Sequence, residues 1–531
     1  MDAKETIQSG KAILGIEFGS TRIKGVLIDE EYKPIAQGSH EWENQLVDGL
    51  WTYSLDMIWS GVQDCYAQLR KDVNEKYGIE IETLAAIGVS AMMHGYMAFD
   101  KDQNILVPFR TWRNTNTGKA AAELSQLFHF NIPLRWSISH LYQCILDGDE
   151  HVKDIDYLAT LDAYIHWQLT GERVTGIGDA SGMIPVDSET KDYDQTMVAK
   201  FDALVAPQGY PWKLRDILPK VLVAGENAGT LSEEGARKLD PSGHLQAGIP
   251  MCPPEGDAGT GMAATNSVKV RTGNVSCGTS SFSMIVLEKQ LSQPYEVIDM
   301  VTTPDGSPVA MVHCNNCTSD INAWVKAFKE YQEMLGVNQS PYELYSTLFN
   351  KALEGAPDCG GLVSFNYVSG EPVTGFTDGR PLFVRSANDK FTLANYMRAL
   401  LYGAVAVLKV GNDILFKKEH VAVDKIYGQG GYFTTPKVGQ LFLGAALNSS
   451  ISCMETAGEG GPWGIALLGA YMVRKADGET LADFLENRVF AGNKGTEVSP
   501  TPEDVAGFDR YIENYKKCLK IEEAAVAAKD A

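Results

Sequence analysis

What the sequence lacks disfavours two classes of partner. It contains no hydrophobic run long enough to cross a bilayer, and residues 1–11, MDAKETIQSGK, have none of the apolar core that a signal peptide needs. Basic residues are outnumbered, with 46 lysines and arginines against 68 acids and a formal charge of −22. Because nucleic acids attract basic surfaces, we do not expect a nucleic acid as a partner. Because no apolar run is long enough, we do not expect a membrane either.

Motifs built on paired cysteines or on a Walker A loop are also missing. The nine cysteines are odd in number and scattered, as in a reducing cytosol, which predicts a cytoplasmic location. The segment His313–Cys317, HCNNC, has metal-ligand residue types, but no second C-x-x-C completes a zinc site, so buried free thiols are favoured. The lack of a Walker A sequence excludes the P-loop fold.

The chain is long enough for two domains, since its 531 residues exceed what one hydrophobic core usually supports. Strand-like apolar segments alternate with segments of helical periodicity, which predicts the α/β class. The clearest helices are expected at Trp51–Tyr77 and Thr392–Lys418. We predict domains at residues 1–262 and 263–531.

One stretch, Ile13–Asp29 (ILGIEFGSTRIKGVLID), predicts a strand, a tight turn and a second strand. In its turn, Gly19-Ser20-Thr21, the glycine lets the backbone approach a ligand, and N–H groups and hydroxyls can donate to phosphate oxygens. Glu17, two residues before the glycine, suits a metal-chelated phosphate. Taken alone, the stretch is better explained as an ordinary hairpin with a polar turn.

A second stretch, Gly273–Leu287 (GNVSCGTSSFSMIVL), repeats this plan. A strand over residues 274–277 enters Gly278-Thr279-Ser280, and an apolar strand over residues 282–287 leaves it. Two such hairpins, one near the start of each half, predict a duplicated fold with a nucleotide between the halves. The arrangement resembles the plan of the actin-like ATPase and sugar-kinase superfamily.

Two segments of the first half have the residue types of a sugar site. A buried strand over residues 84–91 delivers Met92-Met93-His94-Gly95, and residues at the carboxyl end of a sheet strand often face a ligand crevice. In the loop Pro108–Asn114, Trp112 could cover the C–H face of a sugar while an amide meets its hydroxyls. A structural histidine and a core tryptophan are the alternatives.

An acid flanked by glycines, Asp257, lies in PPEGDAGTG, before a small-residue helix expected at Met262–Thr265. A carboxylate at this domain junction could take a proton from a substrate hydroxyl. A role as helix N-cap is the alternative, and the two roles are compatible. Glycine turns are also predicted at Gly178–Gly182, at Gly428–Gly431, where a nucleotide base or ribose could lie, and at residues 458–461.

Together these landmarks resemble the FGGY carbohydrate kinases over nearly the whole chain. The segments that carry the resemblance are Ile16–Thr21 and Gly278-Thr279 (phosphate motifs), Gly256-Asp257 (catalytic base), Met93-His94-Gly95 and Trp112-Arg113-Asn114 (sugar contacts of the xylulose kinase branch), and Ser369-Gly370-Glu371 and Gly430-Gly431 (nucleotide domain). Two positions depart from the family pattern, since Glu17 and Asn114 stand where the family usually or often has aspartate.

The resemblance implies two ribonuclease-H-like domains of the actin/hexokinase superfamily, with mixed sheets and an interdomain cleft. The first domain would bind mainly the sugar and the second mainly ATP. Asp257 would be the general base, and Glu17 and Asp257 would position Mg²⁺ through water. The remaining residues implied are Met93, His94, Trp112 and Asn114 with Asp257 for the sugar, and Gly19, Ser20, Thr21, Lys24, Gly278, Thr279, Gly430 and Gly431 for the nucleotide.

We therefore expect an ATP-dependent kinase that phosphorylates the primary hydroxyl of a ketose, in particular a ketopentose such as xylulose. Its partners would be a small-molecule sugar and ATP, and a homodimer is compatible with the resemblance. Ribulose, a hexulose and a glycerol-like polyol are alternative substrates. Two other classes stay open: an actin-like or chaperone-like ATPase, against which His94 and Trp112 speak, and a sugar sensor without turnover, which Glu17 allows.

Overall fold

The computed structural model describes residues 2–454, 460–492 and 495–529 of the chain. Its strands are β1 (Ile13–Phe18), β2 (Arg22–Ile28), β3 (Pro34–Glu41), β4 (Gln45–Val47), β5 (Leu50–Thr52), β6 (Ala86–Ala91), β7 (Met97–Phe99), β8 (Tyr157–Ala159), β9 (Val174–Gly176), β10 (Val186–Asp187), β11 (Asp192–Tyr193), β12 (Lys220–Leu222), β13 (Glu255–Gly256), β14 (Thr272–Cys277), β15 (Ser281–Val286), β16 (Asp299–Thr302), β17 (Pro308–Cys314), β18 (Val363–Phe365), β19 (Leu382–Val384), β20 (Lys425–Gln429), β21 (Ile451–Cys453) and β22 (Thr496–Val498). Its α-helices are α1 (Ala3–Gln8), α2 (Leu55–Tyr77), α3 (Gly118–Phe128), α4 (Ser137–Asp147), α5 (Leu161–Thr170), α6 (Ile177–Ala180), α7 (Gln195–Val205), α8 (Leu214–Ile217), α9 (Glu233–Leu239), α10 (Asp257–Ala264), α11 (Ser319–Met334), α12 (Pro341–Ala352), α13 (Leu393–Asp413), α14 (Val438–Leu447), α15 (Gly460–Arg474), α16 (Leu481–Phe484) and α17 (Pro502–Ala527).

The first large sheet has the strand order β13–β6–β1–β2–β3. Strands β1 and β2 form the predicted antiparallel hairpin, while β6 lies parallel to β1 and β13 parallel to β6. Helix α2 covers one face so closely that a Cβ on Gly38 would lie 2.2 Å from the carbonyl oxygen of Cys65. Helix α15 covers the other face, where a Cβ on Gly15 would lie 2.0 Å from the carbonyl oxygen of Pro462. Glycine at these positions therefore lets both helices rest directly on strand backbone.

The second large sheet has the strand order β16–β17–β15–β14–β20–β21–β22. The second predicted hairpin is β14 and β15, and β20 lies parallel to β14 as β6 lies parallel to β1. The two predicted hairpins are therefore present, and each has a parallel strand beside it, a pairing that the sequence analysis did not predict. Both sheets are mixed, and helices pack against them, so the predicted α/β class is confirmed.

The helix predicted at Thr392–Lys418 belongs to the core of the second domain. It runs as α13 and continues as a π-helical turn, Ile414–Lys418, and the Thr392 hydroxyl accepts the N–H of Asn395 at its start. Among the described helices it alone is long and apolar enough to cross a membrane by length and composition, and 83% of its most apolar window is buried inside the protein. Its apolar character is explained by this buried position.

Residues from the C-terminal half return to the first domain. Helix α15 packs on β1, β6 and α10, and its Ile465 shares an apolar core with Ile13 of β1. Trp463 Nε1 also donates a hydrogen bond to the carbonyl of Tyr32 (2.8 Å). The expected domain boundary at residues 262/263 lies inside α10 and stays a prediction, and α15 contributes to the first domain from beyond it.

Several expected boundaries differ from the structure. The helix expected from Trp51 begins at Leu55, because Ser54 accepts the N–H of Met57 (3.2 Å) as the cap and Trp51 belongs to β5. The segment expected to be a turn at Gly178–Gly182 contains most of the helical turn α6.

Two further expectations concern glycine-rich segments. The helix expected at Met262–Thr265 already begins at Asp257. The glycine turn expected at residues 458–461 includes residues 458 and 459, which lie outside the described residues.

Candidate active site

Two aromatic side chains form hydrogen bonds to the carbonyl groups of the turn between β1 and β2. Trp42 Nε1 donates to the carbonyl of Gly19 (2.7 Å), and the Tyr53 hydroxyl donates to the carbonyl of Ser20 (2.5 Å). In a trans peptide the N–H points opposite to the C=O, so the N–H groups of Ser20 and Thr21 point away from these rings. The turn therefore presents backbone donors on its other side, as an anion site requires.

Glu17 lies on β1 beside Lys24 of β2 and Ser90 of β6. Its carboxyl group lies against the start of α15, where a Cβ on Gly461 would be 1.9 Å from Glu17 Oε1. Burial raises the pKa of Glu17 to about 7; the negative charge of Asp257 also raises it, and Lys24 opposes the shift. Two mutually repelling carboxylates in a partly enclosed site form an oxygen donor set that fits a divalent cation.

Asp257 is the first residue of α10 and directly follows β13, at the carboxyl end of the first sheet. The N-cap is Gly256, so the N-cap alternative for Asp257 is wrong. Asp257 Oδ1 accepts the N–H of Met93 (3.2 Å). The side chain is open to solvent, yet protein surrounds its carboxyl group, which places it in a cleft. This burial raises the pKa of Asp257 above its ordinary value, against the backbone donors that lower it.

His94 follows Met93 with a left-handed φ of +70°, which is uncommon for a residue other than glycine. Its Nδ1 lies 3.0 Å from the carbonyl oxygen of Gly182. Because a carbonyl can only accept, Nδ1 carries the proton and Nε2 is an acceptor. Burial lowers the pKa of His94 to about 3, and the positive charge of Arg135 adds to this shift. His94 is therefore a neutral acceptor of fixed tautomer.

The loop after β7 gives Trp112 and Asn114 different environments. Trp112 is 37% exposed, and its Nε1 donates to Ser20 Oγ (3.1 Å), which places the ring beside the first turn. Asn114 is buried, and its Oδ1 accepts the N–H of Trp51 (2.9 Å). Its Nδ2 donates to the carbonyls of Trp51 (2.8 Å) and Thr111 (3.0 Å). Asn114 therefore fixes the shape of the loop, and both of its N–H groups are engaged by backbone.

The second turn, Gly278-Thr279, is held by the segment that leads into α11. Thr318 donates to the carbonyl of Gly278 through its N–H (3.0 Å) and its hydroxyl (2.7 Å), and the N–H of Cys317 donates to the carbonyl of Thr279 (2.9 Å). A Cβ on Gly278 would have no atom within 4 Å, so this part of the turn is open. The second turn thus repeats the first, with its carbonyls bound from one side.

The nucleotide-domain landmarks support this second turn. Glu371 is fully buried, and its carboxylate accepts the N–H groups of Asn315 (3.3 Å) and Asn316 (3.2 Å), which precede Cys317. Gly430, after β20, has a φ of +101°, and a Cβ there would lie 2.4 Å from the carbonyl oxygen of Cys277. Gly431 beside it has open space. Only glycine therefore allows β20 to end so close to the second turn.

The predicted residues fall into two groups. In the first domain, Met93, Asp257 and Glu17 interact at the sheet edge, and Trp112 contacts the first turn. In the second domain, the turn at residues 278–279 and the glycines at 430–431 are neighbours. Lys24 lies at the border of the first group. It is beside Glu17 in the sheet, and it also lines a surface groove with Arg22 and Lys71.

Sequence reasoning missed an ion pair between the domains. Arg135 pairs with Asp299 of β16, and Asn131 Nδ2 donates to the same carboxylate (3.1 Å). The positive charge of Arg135 lowers the pKa of both His94 and Asp257, so the pair lies on the predicted sugar side. No local pattern could reveal it, because Arg135 stands in a loop and its partner is 164 residues away.

Three buried acids near Asp257 were missed as well. Asp162 lies in the first turn of α5, Asp179 lies in α6 and Glu255 lies on β13, and each is at most 2% exposed. Burial raises the pKa of Asp162 to about 6 and that of Glu255 to about 8. Burial and the charge of Asp162 hold the pKa of Asp179 well above its ordinary value, although the hydroxyl of Thr160 donates to it (2.6 Å).

Comparison with known proteins identifies what this architecture is similar to. Residues 12–262 match the N-terminal domain, and residues 273–473 the C-terminal domain, of the FGGY family of carbohydrate kinases. A xylulose kinase of Lactococcus lactis is 22% identical, and the match covers 96% of both chains. A glycerol kinase of Thermococcus kodakarensis is 25% identical over 53% of this chain and 54% of its own.

Solved structures share the fold at low sequence identity. A ligand-bound xylulose kinase from Lactobacillus acidophilus has a TM-score of 0.77 at 18% identity and covers 98% of this chain and 100% of its own. A gluconate kinase from the same organism also has a TM-score of 0.77 at 18% identity, and covers 96% of this chain and 98% of its own.

Replacing Asp179 with asparagine should stabilise the protein increasingly as the pH rises. An acid whose pKa is higher in the folded chain contributes fully below its unfolded pKa, and the contribution is lost as the pH rises towards the folded pKa. Asparagine can still accept the hydrogen bond of the Thr160 hydroxyl, but it cannot lose a proton and become charged. The gain in the free energy of unfolding over wild type, measured by denaturant titration, should grow from about pH 5 to about pH 8, by at most about 1.4 kcal/mol per pH unit. A gain that is constant or shrinks with pH would show that Asp179 is ionised in the folded protein.

Proposed function

The chain belongs to the FGGY family of carbohydrate kinases and is a sugar kinase, and we propose that it transfers the γ-phosphate of ATP to the primary hydroxyl of a ketose, in particular a ketopentose such as xylulose. The observation that carries the proposal is the placement of Asp257. Its carboxyl group stands at the start of α10, in a cleft, in contact with the Met93 N–H and within the electrostatic reach of Glu17. An accessible carboxylate of raised pKa beside a second acid suits proton removal next to a metal-bound phosphate.

Asp257 acts as the general base in this proposal. It accepts the proton of the sugar hydroxyl as the oxygen attacks the γ-phosphorus, and the bond to the β-phosphate oxygen breaks. The raised pKa of Asp257 makes it a better proton acceptor than an ordinary aspartate. The N–H of Met93 fixes one carboxylate oxygen, Oδ1. Most of the rate enhancement would come from this positioning and from charge stabilisation.

The sugar is bound by the first domain in this proposal. His94 Nε2, the free acceptor of a neutral ring, accepts a hydrogen bond from a hydroxyl of the sugar. The exposed face of Trp112 covers the C–H groups of the sugar. Met93 lies at the same strand end, and Asn114 acts by shaping the loop that carries Trp112.

ATP is bound by the two turns in this proposal. The N–H of Gly19 donates to the carbonyl of Arg22 (3.0 Å) and shapes the first turn. The N–H groups and hydroxyls of Ser20 and Thr21 hold one part of the phosphates, and the turn of Gly278 and Thr279 holds another. The base or ribose lies against Gly430 and Gly431, and the charge of Lys24 adds to the field at Glu17. Glu17 and Asp257 would hold Mg²⁺ through water, and the ion would neutralise charge on the transferred phosphate.

A second candidate is a kinase of the same kind with another substrate. The relatives include a glycerol kinase, which favours a glycerol-like polyol as the alternative acceptor, and a structure described as a gluconate kinase, which makes an aldonate worth testing. Ribulose and a hexulose are further alternatives within the ketose class. A sugar sensor without turnover is the alternative that Glu17 keeps open. We further propose a cytoplasmic location and, as an assembly to be examined, a homodimer.

The experiment that tests the proposal is a screen of ketoses, aldonates and polyols for sugar-dependent ADP release, with the sugar phosphate identified by mass spectrometry. Xylulose should give the highest kcat/KM, with ADP and sugar phosphate formed in equal amounts. A higher kcat/KM for a polyol or an aldonate would show that the substrate belongs to that class and not to the ketoses. ADP release without any acceptor would support an ATPase, and no product with any acceptor would support a sensor.

Asp257→Asn should lower kcat about 100-fold to 10,000-fold, because asparagine keeps the size of the side chain but cannot accept the proton. Sugar binding, measured by calorimetry, should change little. Asp56→Asn is the matched control, since Asp56 is also an acid in the first turn of a helix but is exposed on α2. Near-normal turnover by Asp257→Asn would remove Asp257 from the role of base.

Trp112→Ala should raise the KM for the sugar about tenfold, the loss of about 1.4 kcal/mol of stacking energy, and leave the KM for ATP within about twofold. Trp324→Ala is the matched control, because Trp324 is also 37% exposed but lies on α11 of the second domain. The site assignment fails if Trp112→Ala weakens ATP binding and leaves sugar binding intact.

Glu17→Gln should sharply lower kcat and raise the Mg²⁺ concentration needed for half-maximal activity, because the amide lacks the charge that binds the ion. Glu17→Asp should keep partial activity, since it retains the charge but loses reach. The measurement is a Mg²⁺ titration of sugar-dependent ADP release for the three proteins. Identical curves for wild type and Glu17→Gln would exclude a metal role.

A further inference from the structure

Glu255 is a buried acid two residues before Asp257, and it is not one of the groups proposed to contact the substrates. It is 2% exposed. It lies on β13, the edge strand that is next to β6 and leads directly into α10. One oxygen of its carboxyl group, Oε1, accepts the N–H of Gly256 (3.0 Å), and Oε2 accepts the N–H of Gly178 (3.3 Å). Glu255 therefore ties the residue that caps α10 to the helical turn α6.

Glycine residues pack closely around the carboxyl group of Glu255 and leave little space for a side chain at their positions. A Cβ on Gly178 would lie 2.4 Å from Glu255 Oε1, and a Cβ on Gly176 would lie 2.7 Å from Oε2. A Cβ on Gly259, in the first turn of α10, would lie 3.0 Å from the Cγ of Glu255. Three glycines, one each from β9, α6 and α10, thus enclose one side chain, and the N–H of Gly176 also donates to the carbonyl of Pro254 (2.7 Å).

Residues 176–182, which we call the connector, touch three parts of the proposed site. The connector contacts Glu255 through Gly178, and the carbonyl of Gly182 accepts from His94 Nδ1 (3.0 Å). The hydroxyl of Ser181 accepts the N–H of Thr302 (3.1 Å), on β16 of the second domain. The same short segment therefore supports the proposed base, the proposed sugar contact and an edge strand of the other domain.

We propose that Glu255 is a positioning residue, which fixes Asp257 through Gly256 and the connector in the geometry needed to reach the sugar hydroxyl. This inference rests on the proposed role of Asp257 as the base. A displacement of the base by about 1 Å can cost about 100-fold in rate, so a buried clamp directly before it is kinetically important. The connector makes the position of Asp257 depend on that of His94 and β16.

The test is a double-mutant cycle in the full-length protein with the best acceptor from the substrate screen. Glu255→Ala should lower kcat about 10-fold to 100-fold and leave the KM for sugar and for ATP within about twofold. In the Asp257→Asn background, Glu255→Ala should cost less than about twofold, because no base remains to be misplaced. Glu255→Gln should restore part of kcat, since its carbonyl oxygen can still accept one of the two N–H groups.

Two further variants separate positioning from a general loss of structure. Glu522→Ala is the matched control, because Glu522 is also fully buried and accepts a backbone N–H, that of Arg380 (2.7 Å), but lies on α17 of the second domain. It should keep its kcat. Gly178→Ala leaves Glu255 in place but pushes on its carboxyl group, and it should lower kcat as Glu255→Ala does. If Glu255→Ala does not fold, as judged by circular dichroism, Gly178→Ala and Glu255→Gln decide the question.

The outcomes distinguish this inference from the function on which it rests. If Asp257→Asn keeps its turnover, the role of Asp257 and the positioning role both fail. If Asp257→Asn is inactive while Glu255→Ala and Gly178→Ala keep a normal kcat, only the positioning role fails. A full additional loss from Glu255→Ala in the Asp257→Asn background would also overturn it, because Glu255 would then act independently of the base.

Discussion

The parallel pairing of β1, β6 and β13 is the constraint on which the site depends. Parallel strands end at the same edge of a sheet, so Glu17, the segment of Met93 and His94 after β6, and Asp257 after β13 are brought together from distant parts of the sequence. The register allows no slip, because a shift by one residue would turn Glu17 towards α2 and Gly15 away from α15. Close helix packing and the chemistry of the site are therefore fixed by the same alignment.

The two hairpins are alike in backbone but different in side chains, which separates their roles. Each has a glycine and a hydroxyl residue in the turn, and the turn carbonyls are bound from one side. Two residues before the glycine, however, the first hairpin has Glu17 and the second has Ser276. The first hairpin thus carries an acid beside its turn, while the second hairpin has a neutral hydroxyl residue at the corresponding position. This asymmetry agrees with a division in which the first domain reacts and the second binds the nucleotide.

The sequence was sufficient for features that local patterns encode. Both hairpins, the long core helix and the α/β class follow from periodicity and from glycine at turns. Chain length and the repeated hairpin indicated two domains, and the family resemblance supplied the expected fold of each. Features created by long-range contact could not be predicted. The backbone hydrogen bonds of Asn114, the pairing of Arg135 with Asp299 and the enclosure of Glu255 by glycines each join segments that carry no matching signal in the sequence. Asn114 is an example. Its residue type suits a contact with a sugar hydroxyl, but its amide group is hydrogen-bonded to the backbone of its own loop and of Trp51.

The structure also explains how glutamate can occupy position 17, where the family usually has aspartate. A longer side chain needs space beyond the strand, and Gly461 supplies it, since any Cβ there would collide with Glu17 Oε1. Gly461 is the second residue of α15, so the carboxylate lies near the positive end of a helix dipole, which stabilises its charge. Burial and the charge of Asp257 raise the pKa of Glu17 to about 7. The helix dipole, Lys24 and a bound cation would each lower that pKa and so favour the charged carboxylate. The longer side chain of Glu17 is thus accommodated by the absence of a side chain at Gly461, which makes the space that the proposed metal ligand needs.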